Sequence, residues 1–232
     1  MIFVGLFLTA IAAIVVWFLS GQRLAAKPWL EQGVIGDVER ASAPRPAKLG
    51  LGVFLAVVGT LFALLMSAYA MRINAAEWWP RSTLTQLWLN TGLLLASSVA
   101  LQWSVFAVRR DWIESAMFGL FAAGVFALCF LAGQLWVWRE LHDAGLFLAA
   151  SPAVAFLYLI SGLHGLHLAG GMVALGRTVD KAGRELDAEK LRPSIELCAI
   201  YWHFLLAVWF LAFAVLSGWG NEFVVICRGL VS

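Results

Sequence analysis

The stretch SAMFGLFAAGVFALCFLAGQLWVW, Ser115–Trp138, decides the fold. It carries no charge over 24 residues, and about 20 apolar residues suffice to cross a bilayer as a helix. Five further uncharged runs flank it: Met1–Gln22, Leu49–Met71, Ser82–Val108, Ala144–Gly176 and Leu197–Asn221. Backbone amides in lipid must be satisfied within the segment, so each run is read as a helix. Hydrophobic residues make up 62% of the chain and charged residues 13%, about half the charge of a soluble domain. The expected fold is all-α, a polytopic bundle of six transmembrane helices in one domain. Residues 1–22 form the N-terminal helix, 23–48 a cytoplasmic-side loop and 49–232 a five-helix bundle.

Lys and Arg set the expected orientation. With the N-terminus outside, the inner loops hold twelve of them, including Arg109, Arg110, Arg177, Lys181, Arg184 and Arg192, and the outer segments hold four. This positive-inside bias predicts both termini on the outer side. Met1–Ser20 lacks a basic leader and its positive charge follows the apolar run, so it is read as a retained helix. The net charge of +2 gives no reason to expect nucleic acid. Cys129, Cys198 and Cys227 are isolated, and no metal or disulfide spacing joins them.

Arg109–Glu114 reads as a tight inner turn, Arg139–Asp143 as the start of an outer connection ending near Pro152, and Thr178–Glu196 as a charged inner loop with a solvated helical face. No span carries a central Pro. Trp17, Trp78, Trp79, Trp112, Trp136, Trp138 and Trp219 fall near span ends as an aromatic belt. Trp88, Trp103, Trp202 and Trp209 lie deeper.

Three of four histidines sit at membrane depth, in Gly162-Leu163-His164-Gly165-Leu166-His167 and Tyr201-Trp202-His203-Phe204. Ionisable groups there are costly and face a partner or a neighbouring helix. His164, His167 and Gly171 share one helical face, beside a small-residue face of Gly162, Gly165 and Ala169. If the last two helices pack antiparallel, His167 and His203 can approach each other. Hydrogen bonding between helices, lipid headgroup contact, haem ligation and metal ligation all remain open for them. Asn90, Ser97, Ser98 and Gln134, with Thr60 and Gln102, are read as hydrogen-bonding residues between helices. Deeply placed Asp or Glu is missing, so the usual carriers of a proton relay are absent from the sequence.

At these residues the chain resembles subunit III of the haem–copper terminal oxidases. The resemblance runs in order through Gly50–Tyr69, Leu89-Asn90-Thr91 with Ser97-Ser98, Gln134–Trp138, Gly162–Gly171 and Tyr201–Trp209. It implies a non-catalytic accessory subunit of a proton-translocating cytochrome c oxidase in the respiratory chain. Such a subunit packs on catalytic subunit I, contacts other oxidase subunits and holds phospholipid. It has no cofactor of its own, haem and copper belonging to the partners. The implied location is a bacterial-type inner membrane. By the resemblance, His164, His167, Trp202 and His203 make lipid or interhelical contacts. Three carboxylates common in the family are replaced here by Val58, Val137 and Leu206. Their loss suits an alternative, a subunit III-like partner of a nitric oxide reductase. A small bis-His membrane cytochrome is the alternative from another class.

Overall fold

The computed structural model describes residues 46–72, 81–147, 152–184 and 187–217. Within them are five helices: α1 Pro46–Arg72, α2 Arg81–Val108, α3 Ile113–Asp143, α4 Pro152–Arg184 and α5 Ala188–Leu216. All five are long and apolar enough to cross a membrane. The expected first helix, Met1–Gln22, lies outside the described residues, so five of the six expected spans are described.

Several boundaries differ from the sequence expectation. Pro46–Lys48, expected in the loop, already belongs to α1, since Pro is pre-organised for the first helical position. Arg139–Asp143 is the last turn of α3 rather than a connection. The fifth run was expected to begin at Ala144, but Ala144 and Gly145 form the turn that ends α3, and α4 starts at Pro152. Its other end runs past Gly176 to Arg184, and α5 starts at Ala188 rather than Leu197. The expected Thr178–Glu196 loop is thus mostly two helix ends, and Pro193 falls inside α5. Charge stops a span at the membrane surface without stopping a helix, because Lys, Glu and Arg are good helix formers.

The helix ends carry identifiable caps. Asp111 stands in the left-handed region at φ 59°. Trp112 N donates to Ala107 O at 3.0 Å and Asp111 N to Val108 O at 3.4 Å, closing α2 with a Schellman motif. Gly145, at φ 76°, closes α3 the same way: Leu146 N reaches Leu141 O at 2.9 Å and Gly145 N reaches His142 O at 3.0 Å. Asp187 caps α5 by accepting from Glu189 N at 3.0 Å.

Two compact units divide between Val57 and Val58. In the first, Pro46–Val57 is the opening of α1. In the second, α2 packs against α3 and α5, and α4 against the same two, so four helices close a ring. Ala116, Gly119, Ala123 and Ala127 give α3 a buried face of small residues, which lets backbones approach closely where lipid offers no hydrophobic drive to associate. A Cβ at Gly119 would stand 2.8 Å from Ala100 O, so this crossing admits only glycine. Val58, Phe62, Met66 and Tyr69 are the buried positions of α1. They recur at helical spacing, and Phe62 and Tyr69 set ring edges against His164, His167 and Phe156 of α4.

Candidate interhelical contact site

The polar residues of α2 join it to both neighbours. Ser97 Oγ donates to Ala123 O of α3 at 2.7 Å and accepts from Trp202 Nε1 of α5 at 2.8 Å. One hydroxyl therefore ties three helices together. Asn90 Nδ2 donates to Gln134 Oε1 of α3 at 3.3 Å. A Cβ at Gly133 would meet Asn90 Cγ at 3.0 Å, so Gly133 makes room for the amide. Ser98 Oγ lies 3.2 Å from His203 Nδ1 of α5.

These contacts sit in a series of others that the sequence did not single out. Ser104 Oγ donates to Ala116 O at 2.9 Å. Trp209 Nε1 donates to Thr91 Oγ1 at 3.0 Å, and Thr91 in turn donates to Leu87 O at 2.8 Å. At the charged end, Glu196 takes Arg109, in the turn after α2, at 3.0 Å and Arg192 of its own helix at 3.2 Å. Between α3 and α4, Trp138 Nε1 donates to Ser161 Oγ at 3.1 Å and Tyr158 OH to Trp138 O at 3.2 Å. Thr178 Oγ1 and Cys198 Sγ meet at 3.3 Å between α4 and α5. A lone Ser or Thr in an apolar run has no sequence signature for its partner, because the partner is a carbonyl or an indole on another helix.

The histidines take three different environments. His164 is fully buried, and neither ring nitrogen reaches a hydrogen-bond partner among the described residues. Its ring sits among Phe62, Phe130 and Trp209, at centroid distances of 6.3, 5.8 and 5.0 Å. His167 Nδ1 donates to Leu163 O of its own helix at 2.8 Å, and its carbonyl accepts from Tyr201 OH of α5 at 2.7 Å. His203 is exposed and turns to Ser98 rather than to His167. The rings diverge because α5 meets α4 through Tyr201 and Trp202: a Cβ at Gly171 would lie 2.7 Å from Tyr201 Cε1 and 3.1 Å from Trp202 Cζ3.

The small-residue face of α4 divides. Gly162 packs on the Trp138 indole, its would-be Cβ 3.3 Å away, and Gly165 lies against Leu131, both on α3. Ala169 is exposed. The deep tryptophans divide too. Trp202 and Trp209 are buried with their N–H groups satisfied, whereas Trp88 and Trp103 face outward.

These small and polar residues lie in order along five helices long and apolar enough to cross a membrane. The family profile of cytochrome c oxidase subunit III matches residues 45–221. The chain belongs to the cytochrome c oxidase subunit III family. The probable cytochrome c oxidase subunit 3 of Mycobacterium tuberculosis (strain H37Rv) is 29% identical over 188 residues, covering 79% of this chain and 93% of that one. Cytochrome c oxidase subunit 3 of Thermostichus vulcanus is 27% identical over 174 residues, covering 72% and 85%. That of Strongylocentrotus purpuratus is 32% identical over 169 residues, covering 68% and 62%. The chain is therefore a multi-pass membrane subunit with an oxidase subunit III role, in association with other oxidase subunits. Of the three positions where the resemblance led us to expect a carboxylate, Val58 and Val137 are buried and Leu206 is half-buried.

Proposed function

We propose that this subunit III is a non-catalytic buttress that packs on catalytic subunit I of a haem–copper oxidase, holds phospholipid, and carries no redox centre of its own. Haem and copper then belong to the partner subunits. The membrane is a bacterial-type inner membrane with both termini on the outer side.

The observation that carries this reading is where the polar groups go. Ser97, Ser98, Asn90, Gln134, Trp202 and Tyr201 are spent on bonds between neighbouring helices. Their geometry suits rigidity rather than turnover. Among the described residues no three His, Cys, Asp or Glu side chains converge, as a copper or zinc site would ask.

The test is deletion of the chain from its native host. The expected result is an oxidase with unchanged haem content but lower yield or a shorter active lifetime during turnover. Wild-type yield and lifetime in the deletion strain would overturn the proposal. Co-purification with a nitric oxide reductase instead of an oxidase would reassign the partner.

A further inference from the structure

An open apolar groove of about 550 Å³ runs between α2 and α3, floored by Gly92, Ala96 and Ala122 and walled by the exposed rings of Trp103 and Phe118. From Gly92 to Trp103 it runs eleven residues of α2, about 16 Å at 1.5 Å per residue. Half the hydrocarbon core of a bilayer is about 15 Å. The groove therefore has the depth of one leaflet. Toward mid-membrane the same helical stripe passes to Trp88 and Leu89, both large and exposed, and the groove ends. A partner helix that crosses the membrane would need twice this length, whereas one acyl chain needs no more.

Toward the surface the stripe continues at helical spacing through the exposed ring of Phe106 to Arg110. Arg110 belongs to the turn that joins the two helices walling the groove, so this turn stands at the groove's mouth. Its guanidinium lies over the exposed indole of Trp112, 5.4 Å from the ring centroid. Seven residues beyond Trp103, or about 10 Å, this is the interfacial depth that Trp side chains favour and headgroups occupy. Arg109 turns instead to Glu196. Asp111 and Glu114, both exposed, complete the turn. The mouth thus presents one guanidinium and two carboxylates. An anionic headgroup would meet two acids for one base. A headgroup that carries a phosphate and an ammonium meets an opposite charge for each.

Resting on the reading that this subunit holds phospholipid, we propose that the α2–α3 groove and the 109–114 turn form a site for one zwitterionic phospholipid with a primary-ammonium headgroup. An acyl chain fills the groove, the phosphate pairs with Arg110, and the ammonium pairs with Asp111 and Glu114.

The experiment uses the intact complex in nanodiscs of phosphatidylcholine. These carry a trace of phosphatidylethanolamine or phosphatidylglycerol with a diazirine on the acyl chain. After illumination, adducts are mapped by peptide and referred to folded chain. Phosphatidylethanolamine should label residues 92–103, and phosphatidylglycerol should label them at least about two-fold less. Val99→Trp, at an exposed position where added bulk fills the groove, should remove the label. Arg110→Ala should lower it about two- to five-fold, the range of one interfacial charge pair, and Arg110→Lys should retain it. Asp111→Asn with Glu114→Gln keeps a residue that tolerates the left-handed turn at φ 59°, and should bring the two lipids to equal yield. Equal labelling by both lipids in the parent chain, or labelling indifferent to Arg110→Ala, would overturn the proposal. Adducts elsewhere on the chain with none in the groove would overturn it and leave the phospholipid reading standing. No labelling of the chain by either lipid would bring down both.

Discussion

Ser97 shows how much one small hydroxyl can hold. It donates to Ala123 O and accepts from Trp202 Nε1 at 2.7 and 2.8 Å. A single such bond in a membrane bundle is worth roughly 0.6 kcal/mol, up to about 2. Ser97→Ala removes two bonds and strands a fully buried indole N–H, so it should cost about 1–3 kcal/mol. Equilibrium unfolding in mixed micelles would measure it, and a cycle with Trp202→Phe should return positive coupling. His164 makes the opposite case. Its ring nitrogens bond nothing among the described residues and three aromatic rings surround it. His164→Leu should therefore be neutral within about 1 kcal/mol or stabilising, since no paired group is orphaned. A large loss of stability in the same assay would mean that the imidazole carries a bond the packing does not display. Sequence pattern found these residues and their bonding between helices, but not their partners. Ser97, Ser98, Asn90 and Gln134 stand out because polar side chains are rare in apolar runs. Whether His203 meets His167 or Ser98 depends on the rotation of α5 against α4, which the bulk of Tyr201 and Trp202 over Gly171 decides.

At the scale of the helices, the α2–α3 crossing is the tightest place. A methyl at Gly119 would meet Ala100 O at 2.8 Å and displace the Ser104 hydroxyl that binds Ala116. Gly119→Ala should cost about 1–3 kcal/mol, the usual penalty of overpacking, despite the better helix propensity of Ala. Gly183→Ala, with open space around it, is the control and should be neutral or slightly stabilising in the same unfolding measurement. All the described helices were legible from apolar run length, because a bilayer imposes both the length and the helix. Their ends were not. Lys181, Arg184, Lys190 and Arg192 announced a loop by charge, yet α4 and α5 carry them as helical turns beyond the apolar stretch. The one-letter pattern reports where lipid ends, and a capping residue such as Asp187 reports where the helix ends.

Across the whole molecule, ionised side chains of the described spans gather at the helix ends, and apolar packing fills Val58 and Val137, where the resemblance led us to expect acids. Val137 is fully buried and Val58 nearly so. Placing a carboxylate at one of them alone should fail. Val137→Glu should cost about 3 kcal/mol, the price of an isolated acid at bilayer depth, and should lower the amount of folded chain recovered from membranes. Recovery equal to the parent chain would show that the bundle holds a latent polar partner there.

The Trp202–Ser97–Ala123 relay also bears on how the chain is made. Helices leave the ribosome in order, and α5 comes after the others described. Until it arrives, the Ser97 hydroxyl lacks its indole, Thr91 lacks Trp209, and Ser98 lacks His203. A nascent chain halted before Ala188 would expose a polar stripe of α2 to lipid or to the insertion machinery. Synthesis of α5 thus acts as the latch on a bundle assembled around a strip that stays hydrophilic until α5 arrives. Chains truncated within α5 should be held by membrane chaperones and degraded rather than accumulate as stable fragments.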